Sequence, residues 1–263
     1  MIKGDKFSGR VLGIHLEGPF ISDQPGAVGC HQKQHVRAPT VEFFQQLLVW
    51  AEGTVKLLTL AAEYPGAEAV TRFAVSHGIT VSLGHQTASD ADIKRLASCG
   101  ATMLTHLGNG APSPIHRHLN PIWSGLAEKR LCAGVITDGY HLPPQVIASM
   151  YRAKGARSMV IVSDVAAVAG LPPGIYPCMG KEVRVCDDGS VREVDGPRLA
   201  GSGSTMLMCL NHMAQLGLCS LQELEMLVFY NPLRMIHVDP AAIRTVVPRQ
   251  LVTLTNGQFC VTK

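Results

Sequence analysis

Glu17, His85 and His106 are of the residue types that hold a catalytic divalent metal. One carboxylate and two imidazoles supply three donors and leave a further position open for water or substrate. A fourth residue, Asp164, follows the apolar run Met159-Val160-Ile161-Val162-Ser163. A carboxylate placed there is costly unless it is paired, metal-bound or facing a cavity. As a general base beside a metal-activated water it would have an obvious task. Each residue also has a plainer reading. A strand-end histidine is commonly a hydrogen-bonded structural residue, and Asp164 could cap a helix. The sequel Val165–Gly170 is too short and too glycine-terminated to make that cap attractive.

These residues lie far apart in sequence, so the elements that carry them must bring them together. Six short apolar runs read as strands: Val11–Glu17, Val55–Ala62, Thr80–His85, Met103–Asn109, Cys132–Asp138 and Ser158–Asp164. They are nearly continuous in apolar residues, as parallel strands buried on both faces are. Helical segments alternate with them. Thr40 can cap Val41–Glu52, Ser89 can cap Asp90–Ser98 ahead of Gly100, and Pro144–Lys154 ends at Gly155. Five runs end in a chemically capable residue: Glu17, His85, His106 with Asn109, Asp138 and Asp164. The sixth is followed at once by Glu63. Polar residues at the carboxyl end of every strand favour a (β/α)8 TIM barrel over a doubly wound sheet. The fold class is therefore α/β. Only six of the eight strands of a closed barrel can be counted, so the barrel reads as incomplete, with its beginning missing.

The remaining third differs. A Gly/Pro-rich loop, Gly170–Gly174, precedes an expected hairpin over Glu182–Val194 turning at Asp187-Asp188-Gly189. Helices follow over about Ser204–Leu216 and Leu221–Tyr230. The second opens with Ser220 and Glu223 at capping-box spacing and is expected to break at Asn231-Pro232. Leu251–Lys263 reads as strand, Asn256-Gly257 turn, strand. The resulting division is 1–244 as a partial barrel and 245–263 as a small C-terminal β element.

Composition narrows the function. Of 263 residues, 46% are hydrophobic and only 16% charged, which excludes disorder. The net charge of +3 and the lack of a Lys/Arg block argue against a nucleic-acid scaffold or a polybasic membrane anchor. No apolar run approaches the ~18–20 residues of a membrane helix, and Met1-Ile2-Lys3-Gly4-Asp5 does not open a signal peptide. The eight cysteines include no CxxC pair and read as reduced thiols of a cytoplasmic protein.

In order along the chain stand His15-Leu16-Glu17-Gly18-Pro19-Phe20, Gly84-His85, Thr105-His106-Leu107-Gly108-Asn109-Gly110-Ala111, Thr137-Asp138-Gly139-Tyr140-His141, Ser163-Asp164 and Leu199-Ala200-Gly201-Ser202. This series, from about Gly13 to Pro240, closely resembles the N-acetylglucosamine-6-phosphate deacetylases of the amidohydrolase superfamily. The resemblance implies metal ligands at Glu17, His85 and His106 and a catalytic acid/base at Asp164. It implies substrate contacts at Cys30 and His31, at Asn109 and Gly110, at Asp138, Gly139, Tyr140 and His141, and at Leu199, Ala200 and Gly201. It matches Arg117 to a phosphate-binding arginine that reaches the neighbouring subunit, which implies a homodimer acting on an amino sugar phosphate. A guanidinium suits a phosphate dianion through paired donors. The implied cofactor is a divalent metal, Zn first, with Fe and Mn accepted by the same donors.

The chain also departs from the family. Family members carry a longer amino-terminal part with half of a β-sandwich and two further barrel strands. The asparagine–alanine pair of the family is here Asn109-Gly110. His15 shares the face of Glu17 and is assigned a packing or supporting role rather than a ligand's. Two other readings stand beside deacetylation of N-acetylglucosamine 6-phosphate: an amidohydrolase of another N-acyl amino sugar or cyclic amide, and a truncated, non-catalytic sugar-phosphate-binding or subunit-interaction protein.

Overall fold

A computed structural model describes residues 11–196, 198–243 and 251–262 of the chain. Its centre is a six-stranded sheet in the order β1-β2-β3-β4-β5-β6, every neighbouring pair parallel. The strands are β1 (Ile14–Glu17), β2 (Val55–Leu60), β3 (Thr80–Leu83), β4 (Met103–Leu104), β5 (Cys132–Ile136) and β6 (Met159–Val162). Between them run α1 (Val41–Trp50), α2 (Ala67–Ser76), α3 (Asp90–Ser98), α4 (Pro121–Ala127) and α5 (Pro144–Lys154). Sequential parallel pairing with a helix in each of the five crossovers is the barrel pattern rather than the doubly wound one. The sheet is an incomplete (β/α)8 barrel: among the described residues, β1 and β6 each have one strand neighbour.

Local sequence explains the helix starts. The Thr40 side chain accepts from the Phe43 N–H, and Ser89 and Asp92 form a reciprocal capping box, satisfying N–H groups that lack partners in a first turn. α2 and α4, which the strand-and-cap reading did not single out, begin after a left-handed Gly66 and at Asn120-Pro121. The strand pleat then sorts two apolar sets. Leu58, Leu60, Val81, Leu83, Ala133, Val135 and Ile161 belong to the main core, with Phe44, Val70, Ile93, Leu96, Ile147 and Met150 of the helices. Met103, Cys132 and Val160 form a second cluster with Leu57 and Val162. Alternation along each strand separates the helix-covered face from the barrel's inner face.

The later part matches some expectations and corrects others. The expected hairpin is present as β8 (Lys181–Val185) and β9 (Val191–Glu193), and a third antiparallel strand, β7 (Gly174–Cys178), extends it into a three-stranded sheet. β7 is an edge strand, the one place in a sheet where Pro177 is tolerated. It turns into β8 through Met179 and Gly180, both at positive φ, the requirement of a two-residue hairpin turn. Helix α6 (Met206–Gln215) falls within the expected 204–216 and is capped by Thr205. α7 (Leu221–Glu225) keeps the Ser220–Glu223 capping box, but Asn231-Pro232 does not end this helical stretch. A π turn, Met226–Tyr230, carries it into α8 (Asn231–Met235). Pro232 then falls in the first turn of a new segment, where its missing N–H costs nothing.

The end of the chain forms hairpin β10 (Leu251–Thr255) and β11 (Gln258–Thr262). It docks on α6 through two hydrogen bonds between Asn211 and the Phe259 backbone, 2.9 and 2.7 Å long, and Phe259 packs on the main core. The expected boundary at 244/245 lies outside the described residues.

Asn231 ties the π turn to the barrel. Its Nδ2 donates to the carbonyls of Ala156 and Met159, each at 2.7 Å, and the residue is 2% exposed. Asn231→Ala strands both carbonyls and should cost about 1–3 kcal/mol. Urea denaturation of the two proteins measures it directly, and an unchanged midpoint would contradict the packing described.

Candidate active site

Three of the sequence-predicted ligands meet at the carboxyl ends of β1, β3 and β4. His85 Nε2 lies 2.7 Å from Glu17 Oε1, His106 Nε2 3.3 Å from the same oxygen, and the two Nε2 atoms are 3.0 Å apart. His31, expected among the substrate contacts, joins them: its Nε2 is 3.1 Å from Glu17 Oε1. The donor atoms of Glu17, His31 and His85 all lie within 4.8 Å of one another. His85 and His106 are buried; Glu17 and His31 are half-buried.

The backbone holds these side chains under constraint. His85, His106 and Asp164 have φ of 50°, 28° and 48°, the left-handed region that costs an ordinary residue energy. The His85 ring is clamped between two loops. A Cβ at Gly29 would lie 2.8 Å from its Cε1 and one at Gly110 2.9 Å from its Nδ1. Both glycines also have positive φ, so no side chain fits there. His85 Nδ1–H donates to the Ala27 carbonyl at 2.6 Å, which leaves the Nε2 lone pair facing Glu17.

Electrostatics sharpen this arrangement. Burial opposes charge on Glu17, yet the close contacts with the His106, His31 and His85 rings hold its carboxyl far below the usual range. Burial pushes His15 and His85 down. Burial also acts to lower His106, but the Glu17 carboxylate outweighs it and raises that ring. A neutral His85 lone pair at 2.7 Å from an anionic oxygen is repulsive unless a cation or proton lies between them. The donor set therefore fits a small divalent cation, with the Ala27 carbonyl holding the His85 ring so that Nε2 faces Glu17.

A cavity of about 350 Å³ opens inside the partial barrel. His15, Glu17, His106 and Asp164 line its polar end, and Leu57, Met103 and Val160 are among its apolar walls. Asp164 is exposed to this space rather than buried by the run that precedes it. The Asp164 carbonyl accepts from Ser202 N at 3.0 Å, and Ser202 O accepts from Ala166 N at 2.8 Å. The segment around Leu199, Ala200 and Gly201 thus lies alongside Asp164. Leu199 O also receives Cys30 Sγ at 3.7 Å, and Ala200 N donates to Val191 O.

Asp138 organises the next loop. Its Oδ1 accepts from the backbone N–H of Tyr140 and of His141, each at 2.9 Å. Its Oδ2 accepts from His141 Nδ1 at 2.7 Å and from Ser202 Oγ at 3.0 Å. His141 Nε2 has no partner among the described residues. Gly139, φ 83°, packs on His212, where a Cβ would come within 2.7 Å. Tyr140 Oη donates to the Asp188 carbonyl at 2.6 Å, linking this loop to the three-stranded sheet. Asn109 Nδ2 donates to His106 O, and Gly110 O accepts from Gln86 N. Arg117 lies on an exposed loop, its carbonyl receiving Trp123 Nε1, its guanidinium without a partner among the described residues. Glu63 is spent on Thr87, whose N and Oγ1 it holds at 2.7 and 2.9 Å. Sequence reasoning gave no role to Ser202 or to the hydroxyl chain below the site. There His15 Nε2 meets Thr59 Oγ1 at 2.7 Å, and Thr59 and Ser82 each meet Thr105 Oγ1 at 2.6 Å.

Comparison with known proteins places this geometry. A solved structure of the N-acetyl-D-glucosamine-6-phosphate deacetylase of Mycobacterium smegmatis, a variant in complex with N-acetyl-D-glucosamine-6-phosphate, superposes with a TM-score of 0.87 at 26% identity. It covers 97% of this chain and 68% of that one. Curated N-acetylglucosamine-6-phosphate deacetylases match at 30% over 233 residues (Lysinibacillus sphaericus) and 35% over 230 residues (Bos taurus). This chain is a relative of the N-acetylglucosamine-6-phosphate deacetylases. The N-acetylgalactosamine-6-phosphate deacetylase of Escherichia coli O157:H7 matches at 30% over 230 residues. These three alignments take in 84–88% of the chain but 54–60% of the relatives, so the chain spans little more than half the length of its deacetylase relatives. No family model matches it.

Asp138 offers a test of the loop. Burial alone would raise its carboxyl; the His141 ring and the N–H groups of His141 and Tyr140 reverse that and hold it below the usual range. Its folded pKa lies under its unfolded one, so the stabilisation is full above the unfolded value of ~3.9 and is lost as pH falls below it. Asp138→Asn should lower stability at pH 7 by about 1–3 kcal/mol. Melting curves of both proteins should draw together progressively as pH falls from about 4 to below 2, and a constant gap across that range would refute the account.

Proposed function

We propose that the chain carries the metal-dependent deacetylase site of its relatives and hydrolyses the acetamide of N-acetylglucosamine 6-phosphate. The observation that supports this reading is the convergence of Glu17, His85 and His106, with Glu17 and His106 lining the cavity that Asp164 also lines. We read these three residues as metal ligands, with Zn²⁺ as the ion and Fe or Mn accepted by the same donors. When bound, the ion supplies Lewis acidity and a more acidic water at the cavity mouth.

The chain's own residues do the rest. Asp164 takes a proton from water as its oxygen bonds to the acetyl carbonyl carbon. The carbon–nitrogen bond then breaks, and Asp164 returns the proton to the leaving amine, giving acetate and glucosamine 6-phosphate. His141, oriented through Nδ1 by Asp138, presents Nε2 to the carbonyl oxygen or a sugar hydroxyl. The backbone at Asn109-Gly110, the Cys30-His31 turn, Gly139-Tyr140 and Leu199–Gly201 border the sugar. Arg117 holds the 6-phosphate, reaching across a homodimer, which accords with its exposed and unpartnered guanidinium. Eight unpaired thiols accord with a reducing, cytoplasmic location, and among the described residues no helix is long and apolar enough to cross a membrane. We retain 1–244 as the barrel part and 245–263 as the C-terminal β element.

A second reading has its own support. The Escherichia coli relative is named for N-acetylgalactosamine 6-phosphate, so an epimeric amino sugar phosphate belongs among the substrates to be assayed.

Asp164→Asn should keep its metal and lose about 10²–10⁴-fold in amine release from N-acetylglucosamine 6-phosphate. Near wild-type turnover in that variant would remove Asp164 from the mechanism. Arg117→Ala should cut kcat/KM about 10–100-fold for phosphorylated amino sugars, the scale of a lost charge-assisted contact, and leave unphosphorylated ones unaffected. Equal losses on both would refute the phosphate assignment. No turnover from the folded, metal-loaded wild-type chain would favour a binding role instead.

A further inference from the structure

We propose that Ser202 is a positioning residue, a single buried serine that fixes His141 and Asp164 relative to each other. The inference rests on the deacetylase reading above and deepens it. It names what keeps the proton-transferring carboxylate and the imidazole that faces the substrate in register.

Four hydrogen bonds converge on this residue. Its N–H donates to the Asp164 carbonyl at 3.0 Å, and its own carbonyl accepts from Ala166 N at 2.8 Å. Its Oγ accepts from Ser204 N at 3.0 Å and donates to Asp138 Oδ2, also at 3.0 Å. The direction of the last bond is forced. An N–H only donates and an ionised carboxylate only accepts, so the one hydroxyl proton goes to Asp138. Ser202 is 1% exposed, and water does not compete for these contacts.

The two backbone bonds act on Asp164. β6 ends at Val162, two residues short of it, and among the described residues pairs with β5 alone. Beyond the strand end, Val165 and Ser202 form a parallel bridge whose bonds grip residues 164 and 166 on either side. Asp164 stands at φ 48°, a conformation that persists only where its surroundings enforce it. The bridge supplies that enforcement.

The hydroxyl acts on His141. Asp138 Oδ1 is filled by the N–H groups of Tyr140 and His141. Oδ2 receives His141 Nδ1–H at 2.7 Å and the Ser202 hydroxyl. Three of these four donors belong to the loop that carries His141 and move with it. The fourth reaches Asp138 from 64 residues away and ties that loop to the Asp164 segment. A displacement of about 1 Å between groups that act on one substrate can cost ~100-fold in rate.

The test separates position from folding. In the metal-loaded protein, Ser202→Ala should lower kcat for N-acetylglucosamine 6-phosphate about 10–100-fold and leave KM within about threefold. Ser202→Cys, close in size and a weaker donor, should fall between wild type and Ser202→Ala, and it carries the test if the alanine variant does not fold. Added to His141→Gln, Ser202→Ala should cost little more, because both changes act through one imidazole. Losses that multiply would mark a general structural effect and overturn the proposal. A second readout needs no turnover. The His141 Nδ1 proton, assigned by its absence in His141→Gln, should shift in the proton NMR spectrum of Ser202→Ala, since Oδ2 then has one donor instead of two. If wild type is active and Ser202→Ala matches it in kcat or leaves that resonance in place, the deacetylase reading stands and Ser202 has no positioning role. If metal-loaded wild type releases no amine, the deacetylase reading itself fails, and this proposal with it.

Discussion

The mouth of this partial barrel depends on keeping one carboxylate ionised among imidazoles that burial works to discharge. Burial opposes charge on Glu17 and on His85, and only mutual proximity or a cation between them offsets that cost. The rest of the site reads as the scaffolding for that contact. Three parallel strand ends deliver Glu17, His85 and His106 to one level, and two side-chain-free positions, Gly29 and Gly110, allow loops to close on the His85 ring. The left-handed backbone at His85, His106 and Asp164 costs of order 1–3 kcal/mol each. Such strain persists only where surrounding packing enforces it, and here the apolar strands and their covering helices do so.

Those strands are also why so much of the site was legible. An apolar run that ends in a histidine or carboxylate marks a strand whose polar end cannot be buried for free, and parallel pairing sends all such ends the same way. Glu17, His85, His106 and Asp164 were readable on that ground alone. His31 was not readable as a neighbour of Glu17, because the fold-back of a turn is set by Gly26 and Gly29 and by contacts over fifty residues away. Ser202 was missed for a similar reason: its bond to Asp138 crosses 64 residues and leaves no periodic trace. The helix expected to stop at Pro232 continues because a π turn shifts the hydrogen-bond register just ahead of it, an adjustment that no propensity records. β7 was hidden by Pro177, which argues against a strand everywhere except at an edge.

The inner face of the sheet carries the other half of the design. Leu57, Met103, Cys132, Val160 and Val162 cluster there, on the side away from the helices α1 to α5. Leu57, Met103, Val160 and Val162, with Val228 and Pro232, wall a cavity whose far end is polar. In a closed barrel such residues would meet side chains from across the axis in packed layers. Here the interior remains roomy, and α6, the π turn and α8 furnish part of its wall. The apolar lining lowers the local dielectric beside the mouth, so electrostatic interactions there are less screened than on a flat polar surface.

Between that lining and the cluster of Glu17, His85 and His106 lies a hydroxyl layer, and proton counting fixes its direction. Ser82 is fully buried, and its only hydrogen-bond partner among the described residues is Thr105 Oγ1. If Ser82 accepted there, its own proton would be stranded, a cost of about 1–3 kcal/mol. Ser82 therefore donates to Thr105, Thr105 to Thr59, and Thr59 to His15 Nε2. Every hydroxyl is then satisfied, and His15 carries its proton on Nδ1. These bonds tie β1 to β2, β2 to the end of β4 across β3, and β3 to the end of β4, the span that bears Glu17, His85 and His106. His15 is two residues from Glu17, and Thr105 adjoins His106, so the layer sets the relative height of the strands that carry Glu17, His85 and His106. It does so without drawing on the donors above it, because its chain of protons terminates at an imidazole and not at the carboxylate.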